Sequence, residues 1–498
     1  MSDIQTRKEK IQAKRKQTPF REYLLEIASW MPLWFNKNQG LISRYPASDR
    51  SPKLLSPKEF NAVRDSLTDY TIELDPKKSF FENFALLRKK VPLGQLIDQW
   101  GNEWCEYADS TMESKNAYLS SVVIENCENV LYSFCIVTNG INIISSNLVT
   151  ANSSNIFQSV CVSNSMNIFY SRYIINSSDL RFCSNCIGCH NCIACADIEN
   201  MSYCIENVQY SKEEFAEIKA KKYNDPLLYE WYYAKVDLKG KNLDSVNCEG
   251  NYIAFSKNVI NGYSIDHLEN GHNVMYTSGT WTVHDFYDCF DTWLDSNNLY
   301  AVEWGGTHWD NYYCSSAIEQ SSHIFYSYYL VSCSYCFWCI GLKNKSYCIF
   351  NTQYDKEERY TKVDEIFTQM ESDWVLWTFF PGWMCPFYFN DSAAYLIDDS
   401  FTKEEATKAG FLRRETAIST DIPAGADVIS TKDLASYQRF NFDGKREINP
   451  EILKKVIKDD KWNYYRIVPM ELDFLKKHGL PLPELHRLDR IKLGFKFK

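Results

Sequence analysis

Five cysteines, Cys183, Cys186, Cys189, Cys192 and Cys195, stand three residues apart with His190 among them. Thiolate and imidazole donors at such spacing are what zinc and iron–sulfur centres use. Sixteen of the 18 cysteines fall between Cys127 and Cys348, and Cys333, Cys336, Cys339 and Cys348 repeat the behaviour in the second half. The other concentration is WTVHDFYDCFDTWLDSNNLYAVEWGGTHWDNYY, residues 281–313, where Asp285, Asp288, Asp291 and Asp295 sit among aromatic side chains. A carboxylate beside an imidazole can do acid–base work, and stacked rings can hold sugars or bases.

The elements that carry these residues are repeats. Aligned on a leading Asn or its stand-in, Asn116, Asn129, Asn142, Asn155, Asn167, Asp179, Asn191 and Tyr203 are separated by steps of 13, 13, 13, 12, 12, 12 and 12. The next position is apolar or thiol, from Ala117 and Val130 to Cys192 and Cys204. Four after the leader comes Ser120, Ser133, Ser146, Ser159, Ser171, Cys183 or Cys195, and seven after it a Val, Ile or Cys. A 12-residue period fits neither a helix face nor a heptad, whereas Ser, Asn and β-branched residues favour extended chain and turns. The pattern predicts one coil of a narrow parallel β-solenoid per unit, coils about 4.8 Å apart, with Asn at tight corners.

Seen this way, Cys183 and Cys195 continue the Ser column, Cys192 the apolar column and Cys186 the Val/Ile column. The repeat therefore favours buried structural thiols, with zinc binding and disulfides as the other two states open to them. Repeats resume near residue 251 with leaders Asn261, Asn273, Asp285, Asn298, Asn311, His323, Tyr335 and Tyr347. Here one coil places Trp304 over Asp291 and His308 over Asp295, with Trp309 beside them. In the first repeat array Phe157 and Phe169 stand in register with Tyr132, Tyr170 and Phe182 near, a stripe that is either covered by the chain's own helices or a partner site. These residues, from Asp285 to Trp309 together with Phe157 and Phe169, are the candidate binding surface. Coils of 12 residues leave no chain to build a polysaccharide-cleaving cleft, and no phosphate-cradling loop, Ser-His-Asp order or HExxH occurs, so no catalytic residue is assigned.

MSYCIENVQYSKEE at 201–214 matches KSYCIFNTQYDKEE at 345–358 in ten of 14 places, an offset of 144 that marks a duplication. Ser211 with Glu214, and Thr402 with Glu405, are capping boxes; Asp355 with Glu358 opens a third helix in the same way. Further helices are expected over 20–34, 57–67, 80–91 and 470–477, with an extended end after Pro481 and Pro483. The organisation predicted is a helical N-terminal arm and cap (1–115), solenoid 1 (116–210), a capping helix and linker (211–250), solenoid 2 (251–354), capping helices and an aromatic loop (355–430) and a C-terminal extension (431–498). The fold class is mainly β: two narrow parallel solenoids of 12–13-residue coils with α-helical caps and arms.

The runs SYCIFNTQYDKEERY, FFPGWMCPFYFNDSAA, TKEEATKAGF and YRIVPMELDFLKKHGLPLPELHRLDR resemble a family of uncharacterised Cys-rich, zinc-ribbon-associated repeat proteins of candidate-phyla bacteria, with similar reading frames in giant viruses. The resemblance covers roughly residues 70–498. The family's zinc-ribbon cysteine pairs lie near the N-terminus and before the segment matching 465–469. This chain has neither: KDDKWNYYRI holds no Cys, nor do the first 100 residues.

A net charge of −10 excludes a basic nucleic-acid-binding body. The ends differ, with seven Lys or Arg in 1–21 and five in 486–498. They read as solubilising tails or as arms that grip an acidic partner, nucleic acid included. With no signal-type apolar run and no 18-residue apolar segment, the expectation is a soluble chain of cytoplasmic synthesis without a membrane span, incorporated in a particle or complex. Together these features predict a non-enzymatic scaffold held in a large assembly such as a virion shell, a surface layer or a multisubunit complex. The alternatives are a carbohydrate-acting hydrolase or lyase at the Asp/His/Trp face, and a zinc-dependent nucleic-acid or protein binding module.

Overall fold

A computed structural model describes residues 19–222, short segments between 246 and 304, residues 309–415, and 422–494 apart from 423–424 and 442–444. The chain is mainly β and builds stacked coils of 12 to 13 residues. It divides into two compact units, one of Met1–Ile97, Leu238–Arg413 and Phe497–Lys498, the other of Asp98–Asp237 and Arg414–Lys496.

In the second unit the coils pair in parallel at the offsets the repeat predicts. Val130 stands over Ile143, Ile143 over Ile156, Ile156 over Ile168, Ile168 over Leu180, Leu180 over Cys192 and Cys192 over Cys204. A second wall stacks Val123, Ile136, Val149, Val162, Ile174, Cys186 and Ile198. These side chains share one core, each worth about 1.5–3 kcal/mol of burial for a full-sized apolar residue.

Each coil has four sides of about three residues, because nearly every third residue from Asn116 to Glu206 turns the chain with positive φ. That conformation costs a non-glycine residue on the order of 1–2 kcal/mol, least for Asn and Asp. Bonds between coils offset it: the Tyr170 N–H donates to Phe157 O at 2.9 Å and Phe182 to Phe169 at 3.1 Å. Where a coil has 13 residues, the extra one doubles a corner, at Glu125–Asn126, Thr138–Asn139 and Ala151–Asn152. Gly188 sits at a corner with φ +64°, where a Cβ would stand 2.4 Å from Asn200 Oδ1.

The serine columns complete the interior. Ser133, Ser146, Ser159, Ser171 and Cys183 each donate a backbone N–H to the Ser Oγ of the coil before, at 3.1–3.2 Å. In a second column, Ser165, Ser177 and Cys189 do the same at 3.0–3.3 Å, the first of them onto Ser153 Oγ. Each hydroxyl thus satisfies a buried corner amide that would otherwise lack a partner.

The coils begin earlier than the Asn pattern indicates. Asp98 bridges Thr111, Glu103 bridges Lys115, and Tyr107–Met112 pairs with Lys115–Ile124. Trp100, Gly101 and Trp104 interrupt the pattern there. At the other end Ser202–Ile205 folds back on Val208–Gln209 in antiparallel pairing. The helix Lys212–Lys222 follows, its Ser211/Glu214 box formed and Phe215 packed on Ile193 and Ile205.

The segment 1–115 divides between the units, and from Asp98 on it joins these coils. Its described part up to Ile97 belongs to the other unit, where helix Phe80–Lys90 surrounds the fully buried Trp338 with Phe80, Phe81 and Phe84 at 5.1–6.3 Å. Arg64 reaches Gly341 O and Asn351 reaches Leu67 O. The coils of that unit repeat the same device. Tyr312 stands over Ile324 and Ile318 over Leu330, with single bridges twelve residues apart continuing to Ile349. The Cys339 N–H donates to Ser327 Oγ at 3.0 Å. The helix Lys356–Ser372 starts at Asp355, and in the aromatic loop 379–390 Phe379, Phe380, Phe387 and Phe389 are all buried.

Candidate functional surfaces

In the Asp/His/Trp stretch Asp291 and Trp304 are register partners on adjacent parallel strands, as the repeat predicts. Trp309 begins the next strand, opposite Ser296. Asp285, Asp288, Asp295 and His308 lie outside the described residues, as do the leaders Asn261 and Asn273.

Phe157 and Phe169 are not an open partner site. Both are buried, in a column of Leu131, Ile144, Phe157 and Phe169. Residues 434–482 of the same unit cover them: Phe474, on helix Pro469–His478, lies 6.0 Å from Phe157 and 6.3 Å from Phe169 between ring centres. Tyr132, Tyr170 and Phe182 join the same cluster. An aromatic stripe in a coil that carries few charges needs a cover, and the chain supplies it.

The described part of the basic C-terminal end, up to Gly494, is likewise part of the fold. Where an extended tail was expected, helix Arg487–Gly494 forms. Arg490 is buried, paired with the equally buried Glu471 at 2.7 Å and donating to Ser145 Oγ at 2.8 Å. Arg487 donates to Leu119 O at 3.1 Å, and the Asn147 amide reaches Ile491 O at 2.9 Å. Burial and the two neighbouring arginines hold His486 down to about 3, and burial with Lys477 and Arg181 holds His478 down to about 4. Arg487 and Arg490 are therefore anchors onto the coils, not a free grip for an outside anion. The N-terminal basic residues up to Lys16 lie outside the described residues.

The cysteines fill the interior. Cys183, Cys186, Cys189, Cys192 and Cys195 are all buried, and their thiols donate to the carbonyls two residues back, as the serines do, at 3.3–3.5 Å. The Asn207 N–H donates to Cys195 Sγ at 3.4 Å, in the place of a serine oxygen. Burial pushes the Cys127 thiol up to about 12 and, with contacts to Cys186 and Cys195, raises Cys183. Cys195 is lowered by hydrogen bonds from Cys183 and Cys192. Among the described residues, no three His, Cys, Asp or Glu side chains stand around a common point at coordinating distance. His190 points outward, its Nδ1 3.0 Å from Ser178 Oγ.

The sequence reading missed the surface that stays open. Glu128, Ile141, Ser154, Met166, Ser178, His190 and Ser202 form an outward column in strict register. All are exposed or half-buried, Ile141 and Met166 at 41% and 47%. Beside it runs an amide ladder in which Asn116, Asn129, Asn142, Asn155 and Asn167 each donate to the next Oδ1, ending on Asp179, at 2.8–3.0 Å. The signal was present as the residue preceding each leader. No protein-family model matches the chain, and neither does any curated protein or solved structure. No helix among the described residues is long and apolar enough to cross a membrane.

Proposed function

We propose that the protein is a non-enzymatic scaffold, held by its coil faces in a larger protein assembly. The observation that carries this reading is the open column from Glu128 to Ser202 beside the Asn116–Asp179 ladder. It offers few charges, rises by one strand spacing of about 4.8 Å per coil, and is left uncovered while the aromatic column of the same coils is sealed. Backbone and side-chain ladders fix its shape, so it can meet another surface with little ordering cost. Ile141 and Met166, exposed apolar groups among Ser and Asn, suit a protein partner better than water.

The test follows the native chain through gentle lysis on a sizing gradient. Wild type is expected to travel with a large particle, and Ile141→Lys with Met166→Glu to run alone while melting as wild type does. Asp295→Ala with His308→Ala should change neither result. A wild-type chain that runs as a 58.2 kDa monomer overturns the reading. So does loss of the chain's cellular role in the Asp295/His308 variant with its migration unchanged, which would favour a carbohydrate-acting enzyme.

A further inference from the structure

The open side of the coils changes character at its first turns. Glu103 bridges Lys115 and Lys115 pairs with Glu128, so the outward column runs back to the first coil. On one flanking corner Glu113 donates its N–H to Trp100 O at 2.9 Å and Asn126 donates to Glu113 O at 2.8 Å, which stacks Trp100, Glu113 and the Glu125–Asn126 corner. On the other, Asn116 donates to Glu103 O at 2.8 Å. Trp104 takes the leader's place one coil before Asn116, with φ +54° against +56°.

Trp100 and Trp104 are 40% and 66% exposed. A left-handed corner strains a bulky side chain more than the Asn that fills this corner in later coils, yet here it holds an indole in solvent. Residues 98–129 carry seven acidic side chains against the single basic Lys115. On the open side Glu103 and Glu113 are exposed, and Glu125 and Glu128 half-buried. From Thr138 to Ser178 the same three columns hold no charged residue. Lys115 shows how this end holds a cation: its Nζ lies 5.4 Å from the Trp104 ring centre and 3.6 Å from the Glu103 carboxylate. Ring face and carboxylate act together on one ammonium group.

An extended segment rich in Lys and Arg fits this chemistry, and the chain carries one. Residues 1–18 hold Arg7, Lys8, Lys10, Lys14, Arg15 and Lys16 against Asp3 and Glu9. They precede Pro19, where the described chain starts. Fully extended they reach about 60 Å, whereas three coils rise only about 10 Å. Arg21, the next basic residue, is engaged with Asp398 and Glu405.

We propose that the Trp100/Trp104 end of the open side receives the basic segment 1–16 of a second copy of the chain. The proposal rests on the scaffold reading and names one partner for it. Each copy offers one arm and one dock, which are different patches, so the contact is head-to-tail and adds copies in a row. The segment's cations lie on the indole faces and pair with Glu103, Glu113 and Glu128, as Lys115 already does with Trp104 and Glu103.

The experiment combines complementary defects in the purified chain and follows mass by sedimentation. Wild type at low ionic strength is expected to rise above the 58.2 kDa monomer with concentration, and to lose that gain at about 0.5 M salt. Deletion of residues 1–16 removes the arm. Trp100→Ala, Trp104→Asn and Glu113→Gln together remove the dock. Each variant alone should stay monomeric, and an equimolar mixture should pair one to one. Glu113→Gln with Glu128→Gln should weaken wild-type association about 2- to 30-fold, and this variant replaces the triple one in the mixture if the latter does not fold. A mixture that stays monomeric overturns the proposal, including the case in which each arm binds its own copy. So does a wild type whose mass never rises, or association that either defect leaves intact. That last result keeps the scaffold reading, with the open column as the contact. A mixture that pairs while the native chain runs free of any particle keeps the dock and removes the scaffold.

Discussion

At the scale of single residues, the solenoid interior is a matter of hydrogen-bond supply. Ser159 lies fully buried, accepts the Ser171 N–H at 3.1 Å and donates to Phe157 O at 2.9 Å. Ser159→Ala leaves that amide unpaired and should cost about 1–3 kcal/mol in denaturant unfolding. Ser159→Cys should cost less, because the same column already holds Cys183 and Cys195 with sulfur in the oxygen's place. Equal losses for the two variants would show that the column acts through volume alone. Histidine gives a second test. His486 and His478 are depressed well below the ordinary 6.5, so above that pH both folded and unfolded states are neutral there. Below it the unfolded chain takes up protons that the folded chain refuses, and stability falls with falling pH by at most about 1.4 kcal/mol per pH unit for each fully excluded histidine. His478 is about half buried, so its share is smaller. Thermal unfolding should therefore weaken from pH 6.5 to 5. His486→Asn should blunt the effect while keeping an acceptor for the Leu488 N–H, which now bonds His486 Nδ1 at 3.3 Å.

At the scale of elements, the coil wall and its cover are joined by the buried pair Glu471–Arg490. Glu471→Leu alone strands a buried guanidinium and should cost about 3–5 kcal/mol, whereas Glu471→Leu with Arg490→Met should lie near wild type. Hydrogen exchange over residues 469–494 reads this directly: fast exchange in the single variant and recovery in the double. Equal damage in both would mean that Arg490 acts through its bond to Ser145 rather than through charge. What the sequence made legible here follows from local rules. Each Ser or Thr capping box and the Asp355 helix start is in place, and helix 80–90 ends within a residue of expectation. The column registers were legible because period and burial coincide. Three things were not. The Phe-rich face of helix Phe80–Lys90 shows that it needs a wall but not which of two similar walls. The basic count at 486–498 conceals that Arg487 and Arg490 face inward, since burial of an arginine depends on Glu471 and on carbonyls distant in sequence. The first coils are masked by Trp100, Gly101 and Trp104. Of the candidate residues, the thiols were correctly assigned to interior columns, while the open Glu128–Ser202 column went unread because its residues share no chemical type, only a register.

At the scale of the whole molecule, the distribution of cover decides what is left for partners. The aromatic columns are sealed within each unit and the C-terminal basic helix is spent on the coils. An assembly held through a terminal arm can use the N-terminal basic segment, alongside the open column. The two contributions separate by salt. Contacts through the Lys and Arg of residues 1–16 are screened over about 8 Å at physiological ionic strength and weaken as salt rises. Contacts through Ile141, Met166 and the amide ladder do not. If the column is the main contact, co-migration with the large particle should survive about 0.5 M salt and deletion of residues 1–16, and should be lost with Ile141→Lys and Met166→Glu. If the arm is the main contact, the order reverses, and both high salt and the deletion release a chain whose thermal unfolding is unchanged. Removal of residues 486–498 tests neither, because it takes away Arg490 and leaves Glu471 buried beneath helix Pro469–His478. That truncation should expose the Phe157/Phe169 column and lead to aggregation by an unfolded cover, which light scattering of the purified chain would register before any partner is added.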